Sequence, residues 1–313
     1  MSLPAIDLRV QLGRLQLRNP ILTASGTFGY AREMESLVNF STLGGILPKT
    51  VTKQPRPGNA PWRTVETSAG LLNSIGLDND GIDAFIAHHL PYLGSLPTAI
   101  VVSIAGSNQD EFVEMAKMLD GLPGVAAVEL NISCPNVAHG VDFGADWQQC
   151  SQLVTKVRQA TNVPLFAKLT PNVTKIADVA AAAAEAGADA VSMINTVLGM
   201  AVDWKKQKPI LGNIVGGLSG PAIKPIALRC VYQARNEFQK RGLSTGIVGI
   251  GGIGTIDDVM EFLVVGANAV QIGTANYYDP QVTQKLAQAL PDAVAQLKVT
   301  RVADIVGTLR TGR

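Results

Sequence analysis

Two lysines lie at or near the ends of apolar segments, where a charged side chain is unusual. Lys49 ends the segment GGILPK (44–49), and Lys168 lies within PLFAKLT (164–170). A lysine in an apolar strand is costly unless an anion lies beside it. Two interpretations stay open: each lysine pairs with a core carboxylate such as Glu129, or both hold an anionic ligand.

The cysteines differ in the kind of segment that carries them. Cys134 follows the apolar segment 127–133 and precedes Pro135 and Asn136, so we expect it just past a strand end. A thiolate there could act as a general base or nucleophile. Cys150 and Cys230 fall in helical patterns and are predicted to be core residues. No pair has CxxC spacing, which argues against a structural metal site in the chain.

Glycines lie at the ends of the last two apolar segments. One segment ends with Gly251-Gly252 and the other with Gly273-Thr274, where a helix is expected to follow each strand. Backbone amides in such a position form a phosphate cradle, although tight turns that need glycine would look the same. Gly249, Gly251 and Gly254 also match GxGxxG, but no acidic residue follows in the next strand, which disfavours a dinucleotide-binding fold.

These residues need a fold that brings strand ends together. Eight short apolar segments alternate with helical patterns, as expected for parallel strands buried on both faces. The predicted strands are Pro20–Ser25, Gly44–Thr50, Ala99–Ala105, Ala127–Ser133, Pro164–Thr170, Ala190–Asn195, Ile247–Gly252 and Ala269–Ala275. The predicted helices are Asp110–Leu119, Asp146–Ala160, Ile176–Ala186, Pro225–Arg241 and Asp257–Val265.

This alternation predicts a (β/α)8 TIM barrel, in which the strands' carboxyl ends carry the chemistry. Leu8–Val10 and Leu15–Leu17 are predicted to form a hairpin that caps the bottom of the barrel. Two connections, 51–72 and 196–220, are too long for simple turns and are expected to be functional. No linker divides the chain, so we predict one domain over residues 1–313.

Composition excludes several classes of protein. Lys plus Arg number 26 and Asp plus Glu 25, which gives no electrostatic footprint for nucleic acid. A hydrophobic content of 47% is too high for disorder. Neither a signal peptide nor an apolar segment of membrane-spanning length is evident. We therefore expect a cytoplasmic protein that binds neither nucleic acid nor membrane.

Motifs along nearly the whole chain resemble the class 1 dihydroorotate dehydrogenases. They are NPILTASGTFGY (19–30), NSIGLDNDGID (73–83), ELNISCPN (129–136), AKLTPN (167–172), INT (194–196), GGLSGPAIKPIALR (216–229), GIGGI (249–253) and QIGTAN (271–276). Cysteine in the NISCPN motif is typical of class 1, and SGTFGY, KTVTKQPRPGN and GLSGPAIKP are most similar to subclass 1B. The resemblance implies FMN, a homodimer core, and a separate FAD/iron–sulfur subunit that passes electrons to NAD⁺ in a heterotetramer.

The resemblance also implies roles for individual residues. Those expected to contact FMN are Ser25, Lys49, Thr50, Ser103, Asn131, Lys168, Ile194, Gly220, Gly251, Gly252, Gly273 and Thr274. Those expected to hold dihydroorotate are Lys49, Asn73, Ser74, Ile75, Gly76, Leu77, Asn131, Asn195 and Thr196. The family is expected to have asparagine where this chain has Ser103. The shorter serine side chain would contact FMN differently.

The implied reaction is oxidation of dihydroorotate to orotate in pyrimidine (UMP) biosynthesis. Cys134 would take the C5 proton, FMN the C6 hydride, and Lys168 would stabilise the negative charge that develops on the flavin. Four alternatives stay open. They are a stand-alone enzyme that uses fumarate or another acceptor, a dihydropyrimidine dehydrogenase-type flavin domain, a sugar-phosphate isomerase or lyase with a Lys168 Schiff base, and a non-enzymatic scaffold.

Overall fold

The computed structural model describes residues 6–133 and 144–312. Its centre is a closed barrel of eight parallel strands. In chain order they are β1 (Ile21–Thr23), β2 (Gly45–Ile46), β3 (Ala99–Ile104), β4 (Ala127–Asn131), β5 (Leu165–Leu169), β6 (Ala190–Met193), β7 (Gly246–Ile250) and β8 (Ala269–Ile272). Each neighbours the next, and β8 closes on β1, which confirms the predicted TIM barrel.

Helices surround the barrel. The first, α1, runs through Ile82–Ala84, a π-helical turn at Phe85–His89, and Leu90–Ser95. The others are α2 (Gln109–Leu119), α3 (Trp147–Ala160), α4 (Ile176–Glu185), α5 (Lys224–Arg241), α6 (Ile256–Val265), α7 (Ala275–Tyr278) and α8 (Val282–Gln296). The five predicted helices correspond to α2–α6 within a residue at each end. Short 3₁₀ helices occupy Arg32–Met34, Phe40–Thr42, Pro221–Ile223 and Val302–Ile305.

A hairpin of Val10–Leu12 and Leu15–Leu17 closes the amino-terminal end of the barrel. A Cβ atom added at Gly246, the first residue of β7, would come within 2.7 Å of the Leu12 side chain. Asp189, directly before β6, accepts hydrogen bonds from Arg14 in the same region. The predicted cap is therefore present, with its first strand two residues later than expected.

The two long connections are not irregular. They contribute the strands of one antiparallel sheet, in the order Val197–Met200, Val215–Ser219, Gly70–Asn73 and Thr64–Thr67. A two-stranded hairpin, Val202–Asp203 with Lys208–Pro209, extends from it. Asn73 pairs with Gly217 across this sheet, so connections that follow β2 and β6 are joined.

A group of polar side chains lies buried on the barrel strands. Glu129 on β4, Ser192 on β6 and Gln271 on β8 are fully buried. Glu129 Oε2 accepts hydrogen bonds from Ser192 Oγ at 2.7 Å and from Gln271 Nε2 at 2.8 Å. These neutral donors satisfy Oε2, whereas Oε1 is buried and has no hydrogen-bond partner among the described residues.

Candidate active site

A cavity of about 980 Å³ opens where the strands end at their carboxyl termini. Among the residues proposed from the sequence, those that line it are Ser25, Lys49, Thr50, Asn73, Ser74, Ile75, Gly76, Leu77, Asn131, Lys168, Ile194, Asn195, Thr196, Gly220, Gly251, Gly252, Gly273 and Thr274. Cys134 lies outside the described residues, although Ser133, its neighbour in the chain, lines the cavity.

Lys168 is a buried cation without a carboxylate partner in the described part of the chain. Only 6% of the residue is exposed, and its Nζ donates to Ser25 Oγ at 3.5 Å. It lies between Asn131 and Ser192 in the strand register. Pairing with Glu129, one of the two interpretations, is wrong for Lys168: the described residues show no ion pair between the two side chains, and Glu129 is hydrogen-bonded to Ser192 and Gln271. The ammonium is therefore available to an anion in the cavity.

Lys49 supplies a second positive charge to the cavity that Lys168 lines. Its side chain is half-buried, and it too forms no ion pair with a carboxylate among the described residues. Its backbone N–H donates to the carbonyl of Gly29 at 2.9 Å. Two uncompensated cations at one cavity favour a ligand with negative charge.

Asparagine and hydroxyl side chains form a network between the two lysines. Asn195 Nδ2 donates to Ser133 Oγ at 2.5 Å, and Ser133 Oγ donates to Asn131 Oδ1 at 2.9 Å. Thr50 and Ser103 hydroxyls are 2.9 Å apart. Ser103 is fully buried and is not part of the cavity wall, so it reaches a ligand only through Thr50.

The segment 73–78 forms one wall of the cavity, and side chains that do not line the cavity hold it in place. Asn59 Nδ2 donates to the carbonyl and hydroxyl oxygens of Ser74, and Arg63 pairs with Asp78 at 3.1 Å. Leu77 adopts a φ of 58°, a left-handed conformation that costs energy outside glycine. Such strain in a binding wall indicates that the segment's shape serves a ligand.

The glycine corner at the ends of β7 and β8 has free backbone donors. Among the described residues, none accepts a hydrogen bond from the N–H groups of Gly252, Gly273 or Thr274. Gly252 has a φ of 73°, and a Cβ atom there would lie 2.9 Å from the backbone nitrogen of Lys224. The turn thus needs glycine and leaves its amides for a phosphate.

Asp258 fixes this corner, and sequence reasoning missed it. Its carboxylate accepts hydrogen bonds from the N–H groups of Gly254 at 2.9 Å and Thr255 at 2.8 Å, and from Lys224 Nζ at 2.6 Å. Burial opposes its ionisation, but these donors hold its pKa below the ordinary value. The signal in the sequence was Thr255-x-x-Asp258, a capping box at the start of α6.

Two adjacent histidines have different environments. His88 is exposed, whereas His89 is partly buried and stacks on Tyr30. The turn at Phe85–His89 is π-helical and not α-helical, which the sequence pattern did not reveal.

The described residues show neither metal nor membrane-spanning features. No group of three or more His, Cys, Asp or Glu side chains in residues 6–133 and 144–312 is arranged to hold a metal ion. Within those same residues, no helix combines the length and apolar character needed to cross a membrane.

Taken with the barrel, this site defines a class: a TIM-barrel protein with two lysines and free backbone amides around a cavity at the mouth, an arrangement suited to an anionic ligand. The particular family follows from comparison with known sequences. The family model described as dihydroorotate dehydrogenase matches residues 7–294, and the chain belongs to that family.

Curated relatives match over almost their whole length. A protein of Pelobacter propionicus is 48% identical over 304 residues, which cover 97% of this chain and 98% of the relative. Proteins of Geotalea daltonii and Geobacter sulfurreducens are 46% and 47% identical, each with 97% of this chain and 98% of the relative covered. All three are named dihydroorotate dehydrogenase B (NAD(+)), catalytic subunit.

Proposed function

We propose that this chain is an FMN-dependent dihydroorotate dehydrogenase that oxidises dihydroorotate to orotate in pyrimidine biosynthesis. The observation that carries the proposal is Lys168, a buried ammonium that faces the cavity and lacks a carboxylate partner in the described chain. Family membership and the names of the relatives support the same reaction. Residues 1–313 are proposed to form one FMN-binding barrel domain.

The cavity fits FMN in size and in the placement of its donors. A volume of about 980 Å³ is at the upper end of the range usual for ligand pockets. The free amides of Gly252, Gly273 and Thr274 suit the phosphate. We expect Lys168, Ser25 and the predicted FMN contacts outside this glycine corner to face the ring. Bound there, FMN supplies the hydride acceptor that the protein's own side chains lack.

The remaining polar groups suit dihydroorotate. Lys49 offsets the substrate carboxylate, and Asn73, Asn131 and Asn195 offer amide donors and acceptors to the pyrimidine ring. We assign to Cys134 the removal of the C5 proton. Ser74 to Leu77 and Thr196 are proposed to complete the wall around the substrate.

We also propose that electrons leave through a partner. The relatives' names include NAD(+) and "catalytic subunit", which supports a partner subunit on the path of the electrons to NAD⁺. We propose that this partner is an FAD/iron–sulfur subunit and that it assembles with a homodimer core of this chain into a cytoplasmic heterotetramer. Large apolar side chains are exposed on and beside the antiparallel sheet, as is typical of protein interfaces. They are Trp62, Leu198, Met200, Val202, Trp204, Ile214 and Val215.

Anaerobic titration tests the reaction. The purified chain should take up FMN, and dihydroorotate should then bleach the flavin absorbance. A folded protein that cannot bind FMN would contradict the proposal. Borohydride trapping of a Lys168 adduct with a sugar phosphate would favour the lyase instead, and faster bleaching by dihydropyrimidines would favour the dihydropyrimidine dehydrogenase type.

Acceptor profiling tests the electron path. The isolated, FMN-loaded chain should reduce NAD⁺ poorly, because no set of metal-cluster ligands is found in its described residues. Addition of the electron-transfer subunit should restore NAD⁺ reduction. Rapid turnover of the isolated chain with fumarate would support the stand-alone alternative.

Asp258→Ala should weaken FMN binding, because Lys224 and the 252–255 turn lose their common acceptor. Loss of the capping box should also lower the free energy of unfolding by about 1–2 kcal/mol. Fluorescence titration of FMN and thermal unfolding measure the two effects. Asp257→Ala is the matched control, since Asp257 is exposed in the same helical turn; equal FMN affinities in both variants would contradict the role of Asp258.

A further inference from the structure

Lys49 has an aromatic neighbour where an ion-pair partner would be expected. Its Nζ lies over the Tyr30 ring, 6.0 Å from the ring centroid. The imidazole of His89 stacks on the same ring, with centroids 3.7 Å apart and planes inclined by 15°. The π-helical turn of α1 thus presents His89 to the residue that contacts a cavity lysine.

The aromatic pair is fixed on several sides. Phe85 packs against both rings, with centroids 6.1 Å from Tyr30 and 6.3 Å from His89. His89 Nε2 is hydrogen-bonded to Asp80 Oδ2 at 3.0 Å. The backbone bond from Lys49 N–H to the Gly29 carbonyl joins the lysine to the residue before Tyr30. The ring therefore has little freedom relative to Lys49.

The hydroxyl of Tyr30 does not explain its position. The oxygen is buried and forms no hydrogen bond of good geometry among the described residues, although the backbone of Asp80 lies near enough to act on its pKa. Burial, followed by the charge of Asp80, raises the pKa of Tyr30 to about 12, which keeps the phenol neutral. A buried hydroxyl with so poor a partner gives little stability over a phenylalanine in the same place. The face of the Tyr30 ring, and not its hydroxyl, therefore accounts for the position of this residue.

We propose that Tyr30, held by His89, is a positioning residue that orients the Lys49 ammonium toward the cavity. A flexible lysine loses substantial conformational entropy when it is ordered, and a neutral aromatic face attracts it without neutralising it. A carboxylate in the same place would compete with the anionic ligand. The inference deepens the proposed function, since it rests on Lys49 binding the substrate carboxylate.

Orotate affinity tests the proposal, with FMN affinity as a separate readout. Tyr30→Leu should raise the dissociation constant for orotate by about threefold to tenfold while FMN binding changes less than twofold. Tyr30→Phe keeps the ring face and should match the unaltered protein. His89→Leu should weaken orotate binding in the same direction. A loss with Tyr30→Phe equal to that with Tyr30→Leu would overturn the proposal.

A second measurement is independent of the substrate. In lysine-labelled protein, the side-chain NMR signals of Lys49, assigned by their loss in Lys49→Met, should carry a ring-current shift. That shift should persist in Tyr30→Phe and disappear in Tyr30→Leu. If the unaltered protein binds no orotate, the proposed function fails but this readout still decides the positioning role. Lys49 signals that Tyr30→Leu leaves unchanged would refute that role.

Discussion

Replacing Lys168 with alanine should slow flavin bleaching by dihydroorotate about 10²–10³-fold, the usual cost of removing a group that stabilises developing charge. Lys168 is buried, lies beside Ser25 and Asn131, and has no described carboxylate to share its charge. Its whole positive charge therefore acts on the ligand. In a cavity that excludes water, such a charge is screened little.

Replacing Lys168 with methionine should stabilise the protein when no FMN is bound. A buried ammonium without an anion destabilises the fold, so Lys168→Met, which keeps most of the volume, should raise the free energy of unfolding of the FMN-free chain by about 0.5–2 kcal/mol. FMN affinity should fall in the same variant. A variant with a higher free energy of unfolding but a lower FMN affinity would identify Lys168 as a ligand-binding lysine and not a structural one.

Stopped-flow absorbance under anaerobic conditions measures the rate, and chemical denaturation with and without FMN measures the stabilities. Lys175→Ala is the matched control, because that lysine follows the same strand but is exposed. A Lys168→Ala protein that binds FMN and is bleached at the normal rate would refute the assignment. If Lys168→Met destabilised the empty protein, a structural ion pair would be indicated.

The fold was accessible from sequence because parallel barrel strands carry continuous apolar segments. All eight predicted strands contain or overlap an observed one, even where β2 shortens to Gly45–Ile46. The sheet beside the mouth was not accessible. Its strands are short, partly exposed and glycine-rich, and the pairing of Asn73 with Gly217 joins residues far apart in the chain. Local patterns carry no information about such a pairing.

The candidate site also has residues that the sequence predicted and residues that it did not. Lys49, Lys168 and the glycine corner were found because polar residues and glycines at strand ends are visible in sequence. The residues that hold them were not, since Asp258, Lys224 and His89 lie in helices and act through contacts with other segments. Ser103 stays a predicted FMN contact, but it does not line the cavity and is hydrogen-bonded to Thr50, a contact that the sequence pattern does not show.

Cys134→Ala should reduce the rate of flavin bleaching by dihydroorotate about 10²–10⁴-fold, the range expected when a general base is lost. FMN content should be unchanged, because the predicted FMN contacts lie on other residues. Cys134 is joined to Ser133, whose hydroxyl lies between Asn131 and Asn195 at the cavity. The proposed base therefore follows directly after a residue that lines the cavity.

The other two cysteines provide matched controls. Cys150 and Cys230 are fully buried, and burial raises the pKa of the Cys150 thiol to about 12 and that of Cys230 above its ordinary value. Neither cysteine lines the cavity, and burial favours the protonated thiol in both, so Cys150→Ala and Cys230→Ala should be bleached at the normal rate once folded. Their thiols should also resist alkylation by iodoacetamide in the native protein.

Cys134→Ser tests proton removal itself. A hydroxyl is a weaker base than a thiolate, so this variant should be slower than the unaltered protein, and its bleaching rate should rise toward higher pH. Stopped-flow traces across a pH series measure both the rate and the shift. Normal bleaching by Cys134→Ala would remove the cysteine from the reaction. A pH profile for Cys134→Ser that matches that of the unaltered protein would assign the titrating group to another residue, because only a change at the base moves the profile while FMN stays bound.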